Sequence, residues 1–268
     1  MLTLKIASAV FIFACGIFGG MLPWWGQSEP KGKRWLGWGI AFSGGVLLSA
    51  GFIHLLADAN TQFQKLWPHN DYPWAMLLAS SSFLLVLFIE SVAPRLGRVA
   101  IGTSITVQTP RMIEAIKSSN TYPYLLLLTL SVHSILAGLA MGAQSSLSNF
   151  AVVFLAIIAH KICVGFALGA SLHRIGMERN RARALVAGFA IMTPLGIVTG
   201  GLIADVLASH GKVLFEAIFD AVAAGTFVYI ATFDVIREEF LPPPPDRMSK
   251  WLAAILGLVL MAVVAIWT

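Results

Sequence analysis

Charged residues are scarce in this sequence. They make up 12% of its 268 residues, whereas hydrophobic residues make up 57%. A soluble domain of this length needs far more charge to cover its surface, so that class is excluded. Cysteine is nearly absent as well, and because Cys15 and Cys163 both lie in apolar stretches, a disulfide framework is not expected. In so apolar a chain, the net charge of +5 indicates membrane orientation rather than binding to nucleic acid.

Long apolar stretches are what the sequence has instead. Crossing a bilayer takes roughly 20 residues, and eight stretches qualify: about 4–22, 36–57, 73–92, 122–142, 150–171, 184–207, 214–236 and 251–267. A signal peptide is the alternative interpretation of the first, but it lacks a small-residue cleavage site and is followed by Pro23-Trp24-Trp25, typical of an interfacial anchor. The sequence therefore predicts an all-α polytopic membrane protein with eight transmembrane helices.

The distribution of Lys and Arg predicts the orientation. If both termini lie outside, the inner loops carry fourteen of these residues and the outer side only three, Lys5, Lys65 and Lys212. Because cytoplasmic loops are enriched in Lys and Arg, both termini are expected outside. The longest loop, about 93–121, is then cytoplasmic and separates three helices from five. No soluble domain is visible, so residues 1–268 are expected to form one transmembrane domain.

Several polar residues interrupt the apolar stretches. Ionisable groups are costly inside a bilayer and usually face the bundle interior or a wet cavity. His54 and Asp58 lie four residues apart in the second stretch and therefore share a helical face. The remaining site candidates are Glu90 in the third stretch, His133-Ser134 in the fourth and His160-Lys161 in the fifth. Further ionisable residues are Asp205 in the sixth stretch and Asp220 and Asp234 in the seventh.

Two histidines in neighbouring segments suggest a metal site. Neutral imidazole binds zinc and other first-row divalent ions, and carboxylates suit harder ions. The alternative for each histidine is a structural hydrogen bond across helices. Lys161 also has two interpretations, because an ammonium beside a dication is repulsive. It either occupies the place of a second ion, leaving room for one, or forms an ion pair with Asp or Glu on another helix.

The ordered polar motifs resemble those of one family. His133-Ser134 followed by Gly138 and by Leu139-Ala140-Met141-Gly142 resembles the fourth-helix signature of the ZIP metal transporters. His160-Lys161 is similar to the His-Lys of the branch that contains the animal plasma-membrane zinc importers. His54-Leu55-Leu56-Ala57-Asp58 resembles that branch's His-Leu-Leu-Pro-Asp, with Ala57 replacing Pro. The resemblance covers all eight stretches in the family's order.

This resemblance implies a metal path between the second, fourth, fifth and seventh helices, centred on His133, Ser134 and His160. It also implies that His54 and Glu90 lie along or beside the path. Lys161 falls where some members place an acidic ligand for a second metal. Two departures matter: many members carry Glu where this chain has Ala137, and others carry Glu where it has Val164. Glu90 or Asp58 would then have to supply a carboxylate.

The leading hypothesis is uptake of Zn²⁺, with Fe²⁺ or Mn²⁺ as further candidates, into the cytosol by alternating access. The ion is cargo, and no permanently bound cofactor is expected. The missing glutamates motivate a second hypothesis, a non-transporting relative that senses metal or holds a partner. A membrane metal hydrolase is the third, but no His-Glu-x-x-His run or Gly-x-Ser-x-Gly elbow is present. A plasma-membrane location is expected, and a homodimer is left open.

Overall fold

The computed structural model describes residues 2–25, 30–91, 122–144, 146–202, 210–241 and 246–266. The predicted cytoplasmic loop, about 93–121, lies outside the described residues. The side chains of Glu90 and Asp234 lie outside them as well. Throughout the described ranges the regular secondary structure is helical and contains no strand.

The described residues form eight helical rods in the predicted order. They are α1 (Leu2–Met21, followed by a 3₁₀ turn at Leu22–Trp24), α2 (Pro30–Ser49, a π-helical segment Ala50–Leu55, and Leu56–Leu66), α3 (Trp74–Ser91), α4 (Tyr122–Gly142), α5 (Leu147–Arg174), α6 (Arg179–Leu202), α7 (His210–Tyr229, a π-helical segment Ile230–Ile236, and Arg237–Phe240) and α8 (Arg247–Val264).

Length and composition identify which rods can cross a membrane. Six of those described are long and apolar enough, while the apolar parts of the other two are shorter, Trp74–Ile89 in α3 and Leu126–Gly142 in α4. Apolar side chains also cover the outside of the bundle, for example Leu84 on α3 and Leu128 on α4, which are both about 60% exposed. The prediction of an all-helical polytopic membrane protein is confirmed, and the count of eight crossings stays a prediction.

The rod α2 is longer than its apolar stretch. The hydropathy of the sequence falls after Ala57, yet the helix continues to Leu66. It continues because Ala59, Phe63 and Leu66 are buried on one face, where they form a cluster that includes Ala217 of α7. The opposite face is free to carry polar side chains, which is how Asp58 and Gln62 enter the bundle.

Glycine allows the rods to pair closely. A Cβ atom on Gly138 of α4 would lie 2.9 Å from the Cα of Gly196 in α6, and one on Gly165 of α5 would lie 2.8 Å from the Gly16 carbonyl oxygen in α1. Similar contacts join α2 to α8 and α3 to α7. Further contacts of α1 with α6 and of α2 with α7 combine these pairs into two bundles, α1-α4-α5-α6 and α2-α3-α7-α8.

The two bundles meet differently at their two ends. In the half that contains the start of α4 and the end of α7, large apolar side chains fill the interface, including Leu126, Leu130, Val164 and Phe227, each no more than 2% exposed. We call these four residues the apolar plug. Beyond the plug, Glu239 of α7 pairs with Arg174 of α5 and with Lys250 of α8, 2.7 Å from the Lys250 Nζ.

Candidate metal site in a cavity between the bundles

A cavity of about 240 Å³ lies between the two bundles, on the other side of the apolar plug. Four rods contribute to its wall through side chains spaced three or four residues apart, as expected for one face of each helix. The lining residues are His54, Leu55, Asp58 and Gln62 of α2, His133, Leu136, Ala137 and Ala140 of α4, Val152, Val153, Ala156, Ile157 and His160 of α5, and Glu216 and Asp220 of α7.

Two imidazoles from one bundle form the part of the cavity nearest the plug. The ring centroids of His133 and His160 are 6.0 Å apart, and the two side chains are 8% and 7% exposed. Two imidazoles that share one zinc ion, with Zn–N bonds of about 2.0–2.1 Å, have centroids roughly 5–6 Å apart. The spacing therefore suits a shared ion. Phe227 of the plug contacts the His133 ring edge-on, with the centroids 5.6 Å apart.

Lys161 and Ser134 lie behind the cavity wall and do not line it. Consecutive helical residues point about 100° apart, so His160 faces the cavity while Lys161 faces the interior of its own bundle. The Lys161 Nζ donates hydrogen bonds to Ser134 Oγ at 3.0 Å and Thr193 Oγ1 at 2.9 Å. It also lies 4.0 Å from the centroid of the Phe189 ring.

These contacts bear on two predictions about the fourth and fifth helices. Among the described residues no carboxylate pairs with Lys161, so the predicted alternative of an ion pair is not observed. The Ser134 oxygen already accepts a hydrogen bond from an ammonium, which reduces its capacity to bind a cation. Whether Lys161 substitutes for a second ion stays a prediction.

Carboxylates line the cavity farther from the plug. His54 Nδ1 lies 2.9 Å from the Asp58 Oδ2 atom, one turn along α2. One further turn along, Gln62 Nε2 donates a hydrogen bond of 3.4 Å to Asp220 Oδ2 on α7. Sequence reasoning placed His54 and Asp58 among the candidates and noted Asp220 as an ionisable residue of the seventh stretch, but it missed Gln62 and Glu216. Their i, i+4 spacing, Asp58 to Gln62 and Glu216 to Asp220, is the signal that would have found them.

The two positions at which this chain departs from the family resemblance differ in surroundings. Ala137 lines the cavity one turn from His133, whereas Val164 is 2% exposed and belongs to the apolar plug. In this arrangement the described residues contain no group of three or more His, Cys, Asp or Glu side chains close enough together to hold a metal ion. A cation in the cavity would therefore keep part of its water shell.

A cavity that carries imidazoles and carboxylates, lies among helices long and apolar enough to cross a membrane, and is closed at one end by apolar side chains is the arrangement expected of a membrane transporter for a small cation. Comparison with known proteins agrees. The family model described as ZIP Zinc transporter matches residues 2–109 and 103–265. The human protein named Zinc transporter ZIP2 is 30% identical over 292 residues, which covers 94% of this chain and 93% of that protein.

Two further relatives extend the similarity across vertebrates and plants. Zinc transporter ZIP1 of Takifugu rubripes is 26% identical over 98% of this chain and 97% of its own length. Zinc transporter 11 of Arabidopsis thaliana is 28% identical over 100% of this chain and 86% of its own length. The chain belongs to the ZIP family of zinc transporters. It is a divalent-metal transporter and not an enzyme, which confirms the leading prediction of its class.

Proposed function

We propose that this chain imports Zn²⁺ into the cytosol by alternating access, and that the present arrangement faces outward. The observation that carries this proposal is the His133–His160 pair at the closed end of a cavity between two bundles. The lining residues belong to the ends of the rods next to the α2–α3, α4–α5 and α6–α7 connections. These connections are poor in Lys and Arg, which favours an extracellular position.

A stepwise route follows from this geometry. A hydrated ion first meets the carboxylates of Asp58 and Asp220, where water can remain bound. It then exchanges water for imidazole nitrogen at His133 and His160, which suit zinc. The apolar plug blocks further movement until the bundles shift, and release toward the cytosol follows. A small number of protein ligands favours release, because an ion held too tightly would not leave.

The proposed import route also implies an orientation, a location and a range of cargo for the protein. We propose that eight crossings put both termini on the same side of the membrane, the outside, so that the predicted loop 93–121 lies in the cytoplasm. We propose a plasma-membrane location, with Fe²⁺ and Mn²⁺ as secondary cargo. Support for the orientation comes from the fourteen-to-three division of Lys and Arg. Protease or antibody access to tags at the two termini of the full chain in intact cells tests it directly.

A metal sensor or scaffold without transport is the second candidate. It is favoured by Ala137, which leaves α4 without a carboxylate in the cavity, and by the absence of a three-ligand group among the described side chains. Such a protein would bind zinc without moving it. The two candidates therefore differ in flux and not in binding.

Uptake of radioactive zinc into liposomes that contain the purified protein separates them. Saturable uptake that is lost in His133→Ala and in His160→Ala would support the transporter. Zinc binding without uptake, across several metals and pH values, would support the sensor. If either histidine variant transports as well as the parent, the assignment of the imidazole pair is wrong.

A further inference from the structure

The cavity contains two oxygen atoms that lack adequate hydrogen-bond donors. Asp220 is half-buried, and its carboxylate receives one long hydrogen bond, 3.4 Å from Gln62 Nε2. The other polar atom of that amide, Gln62 Oε1, is buried without a hydrogen-bond partner. A carboxylate with one long hydrogen bond and a buried amide oxygen with none are poorly accommodated unless a cation or water completes them.

Asp220 also differs from the other two carboxylates of the cavity. The Asp58 carboxylate already has a partner, the His54 ring nitrogen 2.9 Å away. Glu216 lies one turn away on α7 and has an interaction of its own. Within the part of the chain that the structure describes, no basic side chain forms an ion pair with Asp220. Asp220 therefore has no ion-pair partner among the described side chains.

The other bundle presents nitrogen ligands to the same cavity. His160 is 7% exposed, and its Nδ1 atom is buried without a hydrogen-bond partner. Between His133 and the outer end of α4, the wall is formed by Leu136, Ala137 and Ala140, which carry no ligand atom in their side chains. One bundle therefore supplies two imidazoles to the cavity but no carboxylate from α4. The other bundle supplies the carboxylate of Asp220, which forms no ion pair within the described part of the chain.

We infer that Asp220 binds the hydrated divalent cation, with the Gln62 amide turned so that its oxygen rather than its nitrogen faces the ion, and supplies from α7 the negative charge that α4 lacks. This inference rests on the proposed function of the cavity. Because the side chains do not form a three-ligand group here, the ion bound at Asp220 retains water. Oxygen ligands suit harder ions such as Mn²⁺ better than imidazole does. Asp220 thus attracts divalent ions in general, and the imidazole pair selects among them.

The first experiment measures zinc uptake by liposomes containing the parent, Asp220→Asn, and Glu178→Gln as the matched control. Glu178 is an exposed acid outside the cavity, so its neutralisation leaves uptake unchanged. Asp220→Asn raises the KM for zinc by about tenfold or more, the loss expected for a charged contact to an ion, with a smaller change in kcat. It also weakens competition by Mn²⁺. A parental KM in Asp220→Asn overturns the inference.

A compensating substitution makes the test specific. Ala137→Glu adds a carboxylate to the same cavity from α4, and in the Asp220→Asn background it restores a KM near the parental value. Gln62→Leu provides a second variant at the oxygen site, with a several-fold rise in KM; a parental KM there excludes the amide oxygen. If the double variant folds, as judged by its melting temperature, and stays as impaired as Asp220→Asn, the substitute-carboxylate role is wrong.

Zinc binding to the purified protein, measured by calorimetry, separates the inference from the proposed function. If the parent binds zinc but does not transport it, the proposed import fails. The inference is then judged by whether Asp220→Asn weakens binding by about tenfold or more. If the parent binds and transports while Asp220→Asn binds equally well, only the inference fails. If the parent neither binds nor transports any divalent ion, both are wrong.

Discussion

Lys161 and Ser134 are joined by a hydrogen bond of 3.0 Å behind the wall of the cavity. Lys161 of α5 is 2% exposed, and its Nζ atom donates hydrogen bonds to two hydroxyl groups, one from α4 and one from α6. Three rods of one bundle are thereby linked through a single positive charge. That charge lies next in sequence to His160, so any cation that reaches the imidazoles experiences its field.

We expect Lys161→Gln to strengthen zinc binding. Glutamine keeps a donor for Ser134 and Thr193 but removes the positive charge, and the loss of like-charge repulsion favours a dication. An improvement of roughly three- to tenfold in the dissociation constant corresponds to about 1 kcal/mol, a modest electrostatic effect. Calorimetry on the purified variant measures it. Lys65→Gln, which removes the same charge from the exposed end of α2, serves as the control. Unchanged or weaker binding in Lys161→Gln would contradict the expectation.

The sequence alone predicted the central parts of the helices better than their ends. The apolar stretches located all eight rods, because a bilayer demands a long run of apolar residues. The end of α2 was missed by nine residues, Leu66 instead of residue 57. The mean hydropathy of a segment is low when one face is polar, so it does not reveal that the helix buries Phe63 on its other face. The π-helical segments were also beyond prediction, since nothing in local composition marks them.

The residues of the candidate site were likewise predicted only in part. His54, His133 and His160 were found because a titratable group stands out in an apolar run. Gln62 is neutral and lies beyond the predicted end of the stretch, so it had no such signal. Asp220 stood out, but only the packing of α7 against α2 shows that it faces the cavity. Partners on distant segments require the tertiary structure.

The positions at which this chain lacks the family's glutamates are expected to respond differently to substitution. Ala137→Glu places a carboxylate in a polar cavity, so the protein should fold and bind zinc more tightly. Val164→Glu puts an unpaired charge into the apolar plug, at a cost of several kcal/mol. Expression and melting temperature in detergent compare the two. Equal stability of both variants would show that residue 164 is not in a dry core.

Close contact between α4 and α6 predicts that alanine substitutions at two glycines differ greatly in their effect on stability. A Cβ on Gly138 of α4 would lie 2.9 Å from Gly196 Cα, backbone that can move only if α4 and α6 separate. Gly138→Ala should therefore destabilise the protein by about 1–3 kcal/mol. Gly188 on α6 has open space around its Cβ position, so Gly188→Ala should leave stability unchanged or raise it slightly. Thermal unfolding of both variants tests this, and an equal loss in both would refute the packing argument.

The ion pairs at the plug end are expected to hold the present arrangement. Glu239 is bonded to Arg174 of one bundle and Lys250 of the other. Glu239→Gln removes the charge that joins them, which should increase the population of conformations open at this end by about three- to tenfold. Glu178→Gln is a control that leaves the cluster intact.

Thiol labelling measures the change in population. Leu168 is fully buried on α5 beside the plug. A Leu168→Cys reporter, in a background with Cys15→Ser and Cys163→Ser, should react faster with a thiol reagent when Glu239 is neutralised. An unchanged rate would mean that the ion pairs do not restrain opening.

The π-helical segment Ala50–Leu55 sets the angular phase between the two halves of α2. A π-helical turn is a local widening that holds one more residue than the α-helix it interrupts. If the segment kept all its residues but wound as a regular α-helix, one half of α2 would rotate against the other by about 100°. Either Gly45 would then face α8 or Gln62 would face the cavity, but the two side-chain positions could not be kept together. A natural relative that lacks one residue in this segment should consequently have a regular α-helix there, with the two halves of the rod facing as they do here.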